Sequence, residues 1–275
     1  MKRPLLAGWC LLGWAILGPV ISFAGDPSPT GWEGTRPNIL FILMDDMGWT
    51  DAGVLGSDFY ETPRIDRLRH ESMAFTDAYA NAPNCSPSRA CLMTGLYSPR
   101  HGIYTVGSSE RGRPEQRKLI PIANAPALTP AFETMAEALR RGGYQTFLGG
   151  KWNLGEGAMG PEAQGFDMNV GGNDSGKPSS YFAPWHDEQL GDAPPGTHLC
   201  DYITSKVIDF MVEPRTAPFF AYISYYDVHL PREAKAELIA KYEAKLAANA
   251  AVAVSYTHLR AHETKANLVC RLLLE

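Results

Sequence analysis

The sequence is short of three things, and each absence removes a class of protein. Its 275 residues carry 25 Lys and Arg against 30 Asp and Glu, a net charge of −5, and the basic residues form no cluster. A nucleic-acid-binding surface needs such a patch, so that function is excluded. No apolar run reaches the roughly 20 residues of a comfortable membrane span, so no anchor is expected in the mature chain. No fixed-period repeat, heptad pattern or long low-complexity tract is present, which excludes solenoids, coiled coils and large-scale disorder.

What is there begins with a leader. Lys2 and Arg3 precede an apolar stretch from Leu5 to Leu17, broken by Gly8 and Gly13, and Ser22-Phe23-Ala24 offers small residues for cleavage. This layout predicts a secretory signal peptide over residues 1–24 and an exported protein, periplasmic or extracellular. Residues 25–36, rich in Pro, Gly and Thr, read as a flexible leader. The remainder is long enough for one large domain.

Asn38 to Met44 is a continuous apolar run that suits a strand buried on both faces, as in a parallel sheet. Asp45 and Asp46 follow at once. Ligand groups in open α/β sheets gather at the carboxyl ends of strands. Adjacent carboxylates there repel unless a cation lies between them, and hard divalent cations such as Ca²⁺ take several oxygen ligands of this kind. Thr62-Pro63 opens a helix, and Met73 to Tyr79 is a strand candidate leading towards Cys85. Pro130 to Arg141 reads as an amphipathic helix ended by Gly142-Gly143, with a strand over Tyr144 to Leu148. Pro218 to Tyr226 is another apolar strand, ending near His229, and Ala234 to Leu246 is a helix.

Residues 85–95 read Cys-Ser-Pro-Ser-Arg-Ala-Cys-Leu-Met-Thr-Gly. Ser86 is expected as an N-cap and Pro87 as the first helical residue. A group just before a helix N-terminus sits where backbone N–H donors favour an anion. Arg89, one turn on, adds a permanent cation that can fork onto an oxyanion. The bland alternative for Cys85 is a small apolar core residue.

The C-x-P-x-R run followed by Thr-Gly resembles the signature of the sulfatase family. So do Thr62 to Leu68 (T-P-x-I-D-x-L), Phe75 to Tyr79 (F-x-x-A-Y), Gly150 to Gly155 (G-K-W-x-L-G) and Phe219 to Pro231 (F-F-x-Y-x-S-Y-x-x-V-H-x-P), in the family's order. The resemblance implies an α/β fold of the alkaline-phosphatase-like sulfatase type over residues 37–252, with a mixed sheet between helices. It implies that a maturation enzyme oxidises Cys85 to formylglycine, whose hydrate is the nucleophile. It further implies Ca²⁺ (Mg²⁺ less well suited) on Asp45, Asp46 and the group derived from Cys85. Lys151 and His229 would contact the sulfate and Arg89 would stabilise charge. One position departs: Asn153 stands where the family most often has histidine. Asparagine can hold a hydrogen bond but cannot titrate, so acid–base work is lost there.

With Cys85 so committed, Cys91, Cys200 and Cys270 remain beyond the leader, which excludes a fully paired disulfide framework and leaves a Cys91–Cys200 bridge open. His101 is expected to be structural, and His70, His186 and His198 lie in no motif. The resulting expectation is a sulfuric ester hydrolase acting on a sulfated small molecule or glycan. The Gly171 to Asp174 segment and the aromatic loop of Tyr181, Phe182 and Trp185 point to a glycan. A phosphodiester or phosphonate ester hydrolase of the same superfamily, or an inactive domain that keeps the fold, are the alternatives. Beyond about residue 250 the likeness ends, and residues 253–275 read as an atypical, foreign tail. The second aspartate–asparagine metal pair and further lysine of the family are not in the sequence. An exposed apolar sheet edge, weak folding and little activity are therefore expected of these residues alone.

Overall fold

A computed structural model describes residues 36–248; the expected signal peptide, all but the last residue of the leader and the 253–275 tail lie outside the described residues. Four strands, β1 (Ile39–Leu43), β2 (Gln145–Gly150), β3 (Met168–Val170) and β4 (Phe219–Ser224), form one sheet in the order β1-β4-β2-β3. All three ladders are parallel. The helices are α1 (Pro63–His70), α2 (Cys85–Thr94), α3 (Ser98–His101), α4 (Met135–Arg141), α5 (Leu199–Val212) and α6 (Ala236–Ala248).

Strand alternation divides the core into two layers. Phe219, Ala221 and Ile223 of β4 join Phe147 of β2 against Leu199, Ile203, Val207 and Phe210 of α5. The intervening Phe220 and Tyr222, with Leu148, face Ala90 and Met93 of α2 and Ala136 of α4. Covered on both faces and paired on both edges, β4 is buried throughout, as its unbroken apolar run requires. At the edge of the sheet, β1 packs Ile39, Phe41 and Leu43 on the α2 side. Leu40 and Ile42, on its other face, are 45% and 50% exposed, so β1 is not buried on both faces as its apolar run suggested: at the edge of the sheet no described element covers that side.

Three further expectations need correction, and the disulfide left open is settled. Met73 to Tyr79 is not a strand: Met73, Phe75 and Tyr79 are 82%, 78% and 85% exposed. Alternation sets the three on one side, but no described element covers them, so pairing would bury nothing. In α2 the N-cap is Asn84 and Cys85 is the first helical residue. Pro87 is tolerated two positions deeper, as the third helical residue, because every N–H of the first turn lacks an intrahelical partner. Cys91 and Cys200 form no disulfide; Cys91 lies 3.4 Å from His101 Nε2, and the Cys200 thiol donates to Asp227.

The remaining correction is the start of α4, at Met135 rather than near Pro130. Thr134 takes the cap: its Oγ1 accepts from Glu137 N at 3.1 Å, while its own N donates to the Glu137 carboxylate at 2.8 Å. The same hydroxyl donates to the Gln164 carbonyl at 2.7 Å. Thr134→Ala should therefore lower unfolding free energy by about 1–2 kcal/mol, with Thr134→Ser close to wild type, in urea titrations.

His198 caps α5, its Nδ1 accepting from Cys200 N at 3.3 Å. Its ring stacks on Tyr181 at 5.7 Å and meets Phe182 edge-on at 5.0 Å. Burial pushes its pKa down from 6.5 to about 4. The unfolded chain then takes up the proton first, so stability is constant above pH 6.5 and falls as pH drops from there towards 4. The loss is on the order of 2 kcal/mol. His198→Asn keeps a capping acceptor and cannot titrate; thermal melts from pH 7 to 4 should show a shallower acid slope than wild type.

Candidate active site

Because the strands are parallel, the carboxyl ends of β1, β4 and β2 lie side by side, and each delivers side chains to one place. Gly150 closes β2 with φ of 95°, and a Cβ there would sit 2.0 Å from the Ser224 carbonyl. Only glycine permits that approach, which lets Lys151 N donate to Ser224 O at 2.7 Å and turns the lysine inward. The backbones of the other two strand ends are tied by Asp45 N to Asp227 O, 2.8 Å, and Val228 N to Asp45 O, 2.6 Å.

Asp45 is the centre. It is 5% exposed, and its Oδ2 accepts from the fully buried Lys151 Nζ at 2.5 Å. Arg89, 3% exposed, reaches Asp45 Oδ1 at 3.6 Å and donates through Nη1 to the Lys151 carbonyl, 2.9 Å, and to the Ser224 hydroxyl. Two buried cations thus face one buried carboxylate, and the cluster carries an excess positive charge. The Cys85 thiol, at the first residue of α2, lies 3.8 Å from Asp45 Oδ1. Asn84 makes no side-chain cap bond, so the first-turn N–H groups add their partial positive charge there.

Asp46 (φ 59°) turns the other way and sits 3.6 Å from His229 Nε2. One donor atom each from Asp45, Cys85 and His229 falls within 4.8 Å of the others. Asn153, left-handed at φ 59°, is buried; its Oδ1 accepts from Ser86 Oγ at 3.0 Å and its Nδ2 donates to Asp174 O at 2.9 Å.

All seven residues singled out in the sequence therefore meet: Asp45, Cys85, Arg89 and Lys151 in one cluster, Asp46 and His229 beside it, and Asn153 through Ser86. Sequence reasoning missed the side-chain contacts of Ser224 and Ser86 and the anchor Tyr181, whose hydroxyl donates to the His229 carbonyl at 3.0 Å. Ser224 lies inside a quoted motif at a strand end, which was the available signal. The aromatic loop is a further correction: Tyr181 and Trp185 are buried in the α5-side core, and Phe182 packs against it half-buried. They form no open sugar platform. His101 is buried, its Nδ1 accepts from Ile103 N at 3.2 Å, and burial pushes its pKa down, as a structural histidine would have it.

The fold is thus a parallel α/β sheet with a buried lysine, arginine and aspartate at its strand ends and a cysteine at a helix start beside them. The sulfatase family model matches residues 37–269, and the chain belongs to that family. N-acetylgalactosamine-6-sulfatase of Mus musculus is 32% identical over 76% of this chain and 41% of its own length. Steryl-sulfatase of Mus musculus is 38% identical over 62% of this chain and 26% of its own. Among solved structures, Ps i-CgsB in complex with k-i-k-neocarrahexaose has a TM-score of 0.62 at 26% identity, covering 76% of this chain and 49% of that one. BT4656 in complex with D-glucosamine-2-N,6-O-disulfate has a TM-score of 0.60 at 26% identity, covering 77% of this chain and 38% of that one. The chain spans less than half the length of the relatives it matches.

The Asp45–Lys151 pair gives a prediction independent of turnover. Lys151→Met leaves a buried carboxylate with Arg89 alone and should cost about 3 kcal/mol of stability, most of it recovered in the Asp45→Asn/Lys151→Met double variant. A single variant as stable as wild type in urea would refute the pairing.

Proposed function

We propose that the protein hydrolyses sulfate esters with a nucleophile derived from Cys85. The observation that carries this reading is the net-positive cluster of Lys151 and Arg89 around Asp45, set against the thiol at the start of α2. Once converted to formylglycine by a maturation enzyme, Cys85 supplies a hydrated aldehyde whose hydroxyl can attack sulfur. Lys151 spends one of its three N–H donors on Asp45, and the others are available to sulfate oxygens. Arg89 reaches Asp45, Ser224 and the Lys151 carbonyl, so it acts by holding the cluster and by its charge. His229, whose Nδ1 has no partner, would hold a sulfate oxygen or assist the leaving group.

The donor set fits part of a hard-cation shell. Asp45 and Asp46 bring carboxylate oxygens, and oxidation of Cys85 replaces a soft sulfur by oxygen. These residues would hold a divalent cation, and Ca²⁺ tolerates irregular oxygen shells completed by water better than Mg²⁺ does. When bound, the cation would polarise the ester oxygens.

The substrate we assign is a sulfated glycan. The reading is supported by the relative named N-acetylgalactosamine-6-sulfatase and by the two related structures bound to sugar ligands. The N-terminal leader supports export; no helix among the described residues is long and apolar enough to cross a membrane.

Two measurements on protein co-expressed with a formylglycine-generating enzyme test this. Mass spectrometry of the Cys85 peptide should find the sulfur gone. Aryl sulfate should be turned over faster than an aryl phosphodiester, with Lys151→Ala about 10²–10³-fold slower. An unmodified thiol, or faster phosphodiester cleavage, would refute the proposal.

A further inference from the structure

Beside the cluster lies a second feature that the reaction does not use. A pocket of about 570 Å³, within the range of small-ligand sites, opens among the loops that follow β2 and β3. Those strands are parallel neighbours, so the pocket occupies the same carboxyl edge of the sheet as Lys151. Its first wall begins at Gly155, two residues past Asn153, and its second includes Asn173, whose carbonyl accepts from Asn153 N at 2.9 Å. Asn153 in turn holds Ser86 beside Cys85. The pocket is therefore the nucleophile's near neighbour.

Its lining is the reverse of the cluster's. Four carboxylates, Glu156, Glu162, Asp187 and Glu188, stand against one cation, Lys177. Trp185 lies behind this lining, 97% buried, with an indole N–H that has no hydrogen-bond partner. Glu162 and Asp187 are partly occupied, accepting from Asn169 and Asn173 at 3.0 and 2.8 Å; the Glu156 and Glu188 carboxylates make no hydrogen bond or ion pair among the described residues. Such carboxylates accept the hydroxyl and amide donors of a sugar. The same carboxylates repel a uronate or a second sulfate.

We propose that this pocket seats the sugar adjoining the sulfated one and selects a neutral unit over an anionic one. The proposal rests on the sulfate-ester reading and narrows it: the substrate carries its sulfate next to uncharged sugars, not within a densely anionic chain. A cationic cluster beside an acidic pocket would then read one anion and reject its neighbours.

The test uses binding, so that it does not depend on turnover. Isothermal titration of the chain at low salt compares the N-acetylglucosamine tetrasaccharide with the hyaluronan tetrasaccharide, in which alternate sugars are uronates. The neutral ligand should bind at least about tenfold more tightly, and Glu156→Gln/Glu188→Gln should shrink that ratio to about threefold or less. A thermal melt matching wild type shows that the double variant is folded. Equal or tighter binding of hyaluronan, no binding of either sugar, or an unchanged ratio in the folded variant would each overturn the proposal. Failure of the sulfate-ester reading is separate: it shows in aryl sulfate assays, whose substrate has no second sugar to fill the pocket.

Discussion

Everything at this site depends on one buried carboxylate. Asp45 ends β1, and its backbone is pinned to the segment after β4 while its side chain takes Lys151 from the end of β2 and Arg89 from α2. An ionised carboxylate removed from water is destabilised by several kcal/mol unless it is paired and hydrogen-bonded. Here it is paired twice, so four chain segments must come together before that penalty is met. The surplus matters as much as the pairing. Two cations on one carboxylate leave a positive charge in a low-dielectric setting, which is the electrostatic basis of the proposed reading of this site.

The sheet provides this geometry because its strands run the same way. In a strand covered on both faces, polar groups mid-strand are costly unless hydrogen-bonded, and the alternating apolar residues of β4 show how completely both layers claim them. Polar chemistry is pushed to the carboxyl edge, where Asp45, Lys151 and Ser224 fall within a few residues of the last apolar side chain. The N-terminus of α2 meets that edge and brings Cys85 with its helix dipole. The burial that stabilises the core is thus the same constraint that collects the site.

The legible parts of the chain were those in which one local signal decides. The apolar runs before Asp45 and before Tyr225 both form strands, but only the second is interior and buried throughout; the first lies at the sheet edge with one face exposed. Thr62 and Pro63 read correctly as a helix start. Signals that need a partner failed. Met73 to Tyr79 alternates like a strand, yet alternation stabilises nothing without a surface to cover it. Tyr181 and Trp185 look like display aromatics but are drawn under α5, where the core needs their volume. The Arg89–Ser224 contact joins residues 135 apart, and no local pattern announces it. In α2 the cap moved because Pro87 is acceptable anywhere in the first turn, so proline alone does not locate the start.

Asn153 shows what a departure from a familial residue can mean. A titrating side chain at this position could exchange protons; an amide can only hold. What it holds is specific: Oδ1 fixes the hydroxyl next to Cys85, and Nδ2 with the backbone N fixes the carbonyls of Asp174 and Asn173. Asparagine adopts the left-handed backbone it occupies more readily than most residues, so this bridging is obtained with little strain. His229 is the histidine that stands at the cluster. The loop lining the acidic pocket is thereby tied to the helix that begins at Cys85. Because a single amide holds both, the pocket wall and the first turn of α2 are fixed relative to each other by one side chain.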